Sequence, residues 1–203
     1  MIEELGAAGA AAVLRKRTKL LGFTMSCDDL TGSLLRSLAA TKPGGRLLEL
    51  GTGVGVGSSY LLEGMAADAT LDTVDVDPDL TAVAREILGN DPRLSVHTED
   101  AFAFLERMAG TTYDLIFADT WAGKLERAEL ALDMLAPGGI YLADDMQNAY
   151  RVPDPVPGVE PEVLQRIPGQ WRDLMALLET RSDLVVTTLD WSTGILIATR
   201  RSN

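Results

Sequence analysis

The chain has 203 residues, 46% apolar and 24% charged, which is enough for one well-buried domain and too apolar for a disordered segment. Lys and Arg number 18 against 30 Asp and Glu, a net charge of −12 that repels phosphate backbones and anionic lipid surfaces, so neither nucleic acid nor membrane is expected as a partner. The single cysteine, Cys27, excludes a disulfide framework and fits a reducing compartment, by default the cytoplasm.

The first apolar run, Gly6 to Leu14, lies between Glu3-Glu4 and Arg15-Lys16-Arg17, the reverse of a signal peptide's charge order, and is too short to span a bilayer. It reads as an Ala-rich helix, and residues 1–22 as a helical extension of a single domain over residues 1–203. Short apolar runs ending near polar or acidic residues then follow at Arg46–Gly51, Leu71–Asp75, Leu94–Thr98, Tyr113–Asp119 and Ile140–Ala143, as parallel strands buried on both faces should. Between them lie helix patterns at Ser58–Ala67, Asp79–Leu88, Ala101–Met108 and Lys124–Leu135. Asp77-Pro78 supplies a cap and a first-turn proline, and Pro137-Gly138-Gly139 reads as a helix stop. Residues 147–170 carry five prolines from Pro153 to Pro168, too many for regular structure, and are expected to form a substrate-facing loop or lid. Leu184–Leu189 and Ile195–Arg200 are close enough for an antiparallel hairpin. The alternation implies a doubly wound, mainly parallel, seven-stranded Rossmann-like α/β sheet closed by that C-terminal hairpin.

Residues 46–57 are the most telling stretch, because an apolar strand runs into a turn with glycine at every second position from Gly51 to Gly57. Glycine lets a backbone approach a ligand closely, and the helix that follows offers free N–H groups. The dinucleotide fingerprint needs a further glycine at the sixth place, yet Val56 stands there counting from Gly51 and Ser58 counting from Gly53. Glu49 just before the turn would repel a pyrophosphate and attract an amino group or a sulfonium. The pocket therefore suits S-adenosylmethionine better than NAD.

Five elements in order, Met25 to Gly32, Glu49-Leu50-Gly51, Val74 to Pro78, Tyr113 to Trp121 and Gly138 to Asp145, resemble class I S-adenosylmethionine-dependent methyltransferases, and among them the catechol O-methyltransferase-like O-methyltransferases. The resemblance covers roughly Phe23 to Met146. It implies cofactor contacts from Met25 and Cys27 to the methionine part, from Glu49, Gly51, Gly53 and Gly57 in the loop, and from Asp75 and Val76 at the ribose. Asp75 lies 24 residues after Gly51, where a carboxylate at a strand end accepts both ribose hydroxyls. Asp100 and Ala101 correspond to the adenine edge, although Asp100 serves equally as a helix cap; Trp121 either stacks on adenine or simply packs.

In the resembling family a magnesium-type ion is held after the fourth and fifth strands, where this chain has Asp119, Asp144 and Asp145, the last in place of an asparagine. Such an ion lowers the pKa of an acceptor hydroxyl. The resemblance thus implies a divalent cation, Mg2+ or similar, with Asp119 and Asp144 catalytic. Ala122 occupies the place of the family's catalytic lysine, and Lys124, two residues on, is the candidate to act instead, its alternative being a solvated lysine. His97, inside a strand pattern, reads as structural. The implied reaction is methyl transfer to a small-molecule hydroxyl. A metal-independent version and aminopropyl transfer of the spermidine synthase kind are the alternatives, and a homodimer through the N-terminal helix is expected from the resemblance.

Overall fold

The computed structural model of the chain describes residues 7–147 and 159–202. Seven strands form one sheet: β1 (Arg46–Leu50), β2 (Thr70–Asp75), β3 (Leu94–Thr98), β4 (Tyr113–Ala118), β5 (Leu135–Ala143), β6 (Leu184–Leu189) and β7 (Ile195–Arg200). Their order is β3-β2-β1-β4-β5-β7-β6. The first five are parallel, while β7 pairs antiparallel with both β5 and β6. The doubly wound sheet with its terminal hairpin is therefore present as expected. Chain order reverses between β1 and β4, and open sheets of this kind leave a crevice at the carboxyl ends of the strands flanking such a point.

Residues on the central strands alternate between two cores. Leu47, Leu115, Phe117 and Leu142 face one apolar layer with Leu14, Leu35, Leu61, Val83 and Ile87 from α1 (Ala7–Leu21), α2 (Asp29–Ala39), α3 (Val56–Gly64) and α4 (Pro78–Leu88). Leu48, Leu50, Ile116 and Tyr141 face the other, built by Phe104, Leu132, Leu174 and Leu178 from α5 (Ala101–Arg107), α6 (Ala128–Asp133) and α7 (Pro161–Thr180). Period-two strands between two layers of helices thus leave apolar side chains covered on both faces. Among the described residues no helix is long and apolar enough to cross a membrane.

Four elements depart from the sequence reading. The proline-rich stretch does not stay irregular: α7 begins at Pro161, where a missing N–H costs nothing, and runs through Pro168. Tertiary burial outweighs the interior proline, since Leu164, Ile167, Trp171, Leu174 and Leu178 recur at helical spacing along one face. The rest of the expected loop, residues 148–158, lies outside the described residues. Helix α2 is an element that the apolar pattern leaves unmarked, although Asp28 caps it, accepting from the N–H groups of Leu30 and Thr31 at 2.7 and 3.1 Å. The expected helix from Lys124 is shortened to Ala128–Asp133, because residues 121–126 wind into a tight turn and Arg127 takes a positive φ of 54°. Finally, Pro137-Gly138-Gly139 lies inside β5, next to an irregular register opposite Tyr113.

Candidate active site

A cavity of about 1140 Å³ opens where β1, β2, β4 and β5 end, space for a nucleoside-sized ligand and a second small molecule together. The loop after β1 forms its floor. Gly51 has φ 103° and donates its N–H to the carbonyl of Val74 at 2.9 Å, and a Cβ there would sit 2.8 Å from the backbone oxygen of Asp119. The loop therefore lies wedged between the ends of β2 and β4, and only a residue without a side chain fits.

Asp75 ends β2 on the cavity wall. One carboxylate oxygen accepts from the N–H of Gly53 at 2.8 Å and the other from that of Asp77 at 3.0 Å, so backbone fixes the orientation of the group at the cavity wall and leaves each oxygen further accepting capacity. Val76, 68% exposed, and Trp121, 36% exposed, also line the cavity, as do Met25 and Cys27. Burial raises the Cys27 thiol well above its ordinary value, with Asp119 and Asp144 adding to the shift, so it stays neutral.

Three of the expected cofactor residues have other employment. Glu49 is 1% exposed and accepts hydroxyl hydrogen bonds from Ser58 and, at 2.6 Å, from Thr73, so its carboxyl is tied beneath the loop rather than offered to an amino group. Gly57 provides room for that carboxyl: a Cβ there would lie 2.2 Å from Glu49 Oε1. Asp100 caps α5, accepting from Phe102 and Ala103 N–H groups at 2.9 and 3.0 Å. Neither it nor Ala101 is among the residues lining the cavity. The hydroxyl partners of Glu49 were missed from sequence because pairing Ser58 with Thr73 requires β2 to lie beside β1.

The far end of the cavity is acidic. Asp119, at the end of β4, has its carboxyl pushed well up by burial, with Asp144, Asp145 and Glu49 adding to the rise and Lys124 opposing it. Asp144 is 3% exposed; burial raises its carboxyl too, against a hydrogen bond from the Thr193 hydroxyl at 2.6 Å. Asp145 lines the rim, exposed, at φ 61°. Lys124 is neither solvated nor swung in from a helix: it is 5% exposed, and its Nζ donates to the backbone oxygen of Asp144 at 3.1 Å. Among the described residues lining the cavity, eight are carboxylic (Asp28, Glu49, Asp75, Asp77, Asp79, Asp119, Asp144, Asp145) and Lys124 alone is cationic. A cavity of that balance favours a ligand bearing positive charge.

The carboxylates expected around a divalent cation have partners within the protein. Asp144 Oδ1 accepts from Thr193 and, at 2.8 Å, from the N–H of Asp145, while Lys124 Nζ donates to the backbone oxygen of the same residue. Among the described residues no three Asp, Glu, His or Cys side chains come together so as to hold a metal ion. Asp119, Asp144 and Asp145 do line the same end of the cavity. His97 lies apart from the cavity, its Nε2 3.0 Å from Asp72.

Comparison with known proteins agrees with this geometry. Residues 48–146 match the model of a methyltransferase domain. A Mycobacterium ulcerans protein named "Putative O-methyltransferase" is 32% identical over 131 residues, 61% of this chain and 58% of that relative, so the match spans little more than half of its length. The O-methyltransferase TomG of Streptomyces achromogenes, solved in complex with S-adenosylmethionine, superposes with a TM-score of 0.78 at 21% identity, covering 95% of this chain and 89% of that one. The O-methyltransferase of Bacillus cereus, solved with S-adenosylhomocysteine, gives 0.78 at 18% identity over 99% and 100%. The fold is that of these solved O-methyltransferases, and residues 48–146 carry the match to a methyltransferase domain.

Proposed function

We propose that the methyltransferase domain of this chain moves the methyl group of S-adenosylmethionine onto a hydroxyl oxygen of a small molecule. The observation that carries the reading is Asp75, held by two backbone N–H groups at the rim of a glycine-floored cavity whose charge suits a sulfonium. Transfer breaks the S–CH3 bond as the O–CH3 bond forms, turns the sulfonium into a thioether and releases the hydroxyl proton. The protein's part is alignment and proton transfer. Asp119 and Asp144 are the proton acceptors at hand, since a carboxylate whose affinity for protons is raised by burial is a stronger base.

Divalent-cation assistance is the finer half of the sequence reading, and the geometry favours the metal-independent version instead. The Lys124 amine donates to the backbone oxygen of Asp144, and among the described residues no three Asp, Glu, His or Cys side chains come together to hold an ion.

Isothermal titration with S-adenosylmethionine tests the proposal. Asp75→Ala should weaken binding about 30-fold, roughly 2 kcal/mol for the loss of a charge-assisted pair of hydrogen bonds, with little change in melting temperature. Equal affinity in a folded variant would remove the ribose role. Release of S-adenosylhomocysteine across a panel of catechols and other hydroxylated aromatics finds the acceptor, while tighter binding of decarboxylated S-adenosylmethionine would favour aminopropyl transfer.

A further inference from the structure

We propose that Lys124 is the fixed cation of this site, an ammonium built into the chain where the resembling enzymes would carry a divalent metal. The proposal rests on the methyl-transfer reading above.

The placement of Lys124 is enforced by its surroundings. The N–H groups of Lys124, Leu125 and Glu126 all reach back to the carbonyl of Trp121, at 3.2, 2.9 and 2.9 Å, and Gly123 at φ 74° donates to the carbonyl of Glu126 at 2.8 Å. The buried Tyr141 hydroxyl donates to the carbonyl of Gly123 at 2.7 Å, which ties the turn to β5. The turn fixes where the Lys124 side chain starts, and a lysine only 5% exposed needs negative charge around it. It finds that charge at two strand ends. Lys124 is the positive charge acting on both Asp119 and Asp144, and its Nζ anchors on the backbone of Asp144.

An ammonium there offsets the repulsion between the Asp119 and Asp144 carboxyl groups. It also retains donors. Nζ has three N–H bonds, and Asp144 O takes one; among the described residues no other protein acceptor lies within hydrogen-bonding distance. Two donors at the cavity wall remain for an acceptor oxygen as it becomes anionic. A divalent ion bound at the same carboxylates would have to displace this charge, and like charges so close exclude one another.

Mn2+ titration followed by the free-ion electron paramagnetic resonance signal tests the proposal, with folding checked by circular dichroism. The wild-type chain and Lys124→Arg should leave Mn2+ free into the millimolar range. Lys124→Met should bind it at least about tenfold more tightly, because the negative charge of Asp119 and Asp144 is then left without its cation. Adding Asp119→Asn should abolish that gain. If Lys124→Met does not fold, Lys124→Gln is read in the same way. Wild-type binding as tight as the variant's, or binding by the wild type that disappears in Asp144→Asn, would overturn the assignment. A wild-type chain that fails to bind S-adenosylmethionine would instead defeat the methyl-transfer reading.

Discussion

Gly51→Ala should cost the folded chain about 4 kcal/mol and take cofactor binding down with it, the sum of a strained backbone and an overpacked contact. At φ 103° an alanine is strained whatever space surrounds it. Here the space is also missing, because the new Cβ would lie 2.8 Å from the carbonyl oxygen and 3.0 Å from the carbonyl carbon of Asp119. Those are backbone atoms at the end of β4, where the Asp119 N–H is bonded to the Leu50 carbonyl at 2.8 Å, so neither side can retreat without opening the junction of β1 and β4. That junction also aims Asp119 into the cavity. Gly53→Ala is the control: at φ 50° its Cβ would meet only the ring edge of Phe23, 3.1 Å away, and the expected loss is about 1 kcal/mol. Urea denaturation of the two variants separates the cases. Equal losses would show that backbone strain, rather than the approach to Asp119, sets the requirement for glycine.

The same contrast between local pattern and distant contact decides how much of the molecule was legible in its sequence. The loop from Gly51, the strand ends at Asp75 and Asp119 and the terminal hairpin could be read, because each is marked locally: by alternation, an acidic residue at a strand end, or glycines in series. Helix α7 was hidden by its prolines, although the spacing of Leu164, Ile167, Trp171, Leu174 and Leu178 was there to be counted. What sequence could not supply was contact across the sheet. Glu49 reads as a ligand-facing carboxylate until Ser58 and Thr73 are placed against it, and Lys124 reads as a helix-start residue, catalytic or solvated, until the turn pinned by Tyr141 buries it. The charge of a local motif was visible; the partners that satisfy it came from elements 9 to 24 residues away.

Glu49 leads to the second large effect, a stability that falls as the solution becomes more alkaline. Its carboxyl is completely enclosed, and burial pushes it from 4.5 up to about 7, with Asp75 adding to the rise and the Ser58 and Thr73 hydroxyls opposing it. A carboxyl whose pKa is higher folded than unfolded keeps its proton in the folded chain after the unfolded chain has lost it. The unfolded state then binds fewer protons, so stability is greatest below the unfolded value and is lost as pH climbs through the folded one. Over the window from 4.5 to about 7 the loss attributable to this group is about 3 kcal/mol, at about 1.4 kcal/mol per pH unit. Asp119 and Asp144, also raised, slope in the same direction, so the wild-type curve alone does not isolate Glu49. Glu49→Gln does, because its amide oxygen still accepts from the two hydroxyls and carries no charge at any pH. Urea melts of both proteins at pH 5 and pH 8.5 should show the variant gaining about 3 kcal/mol on the wild type between those values. Parallel curves would mean that Glu49 is ionised beneath the loop throughout, with its charge answered by the N-terminal N–H groups of α3 against which it lies.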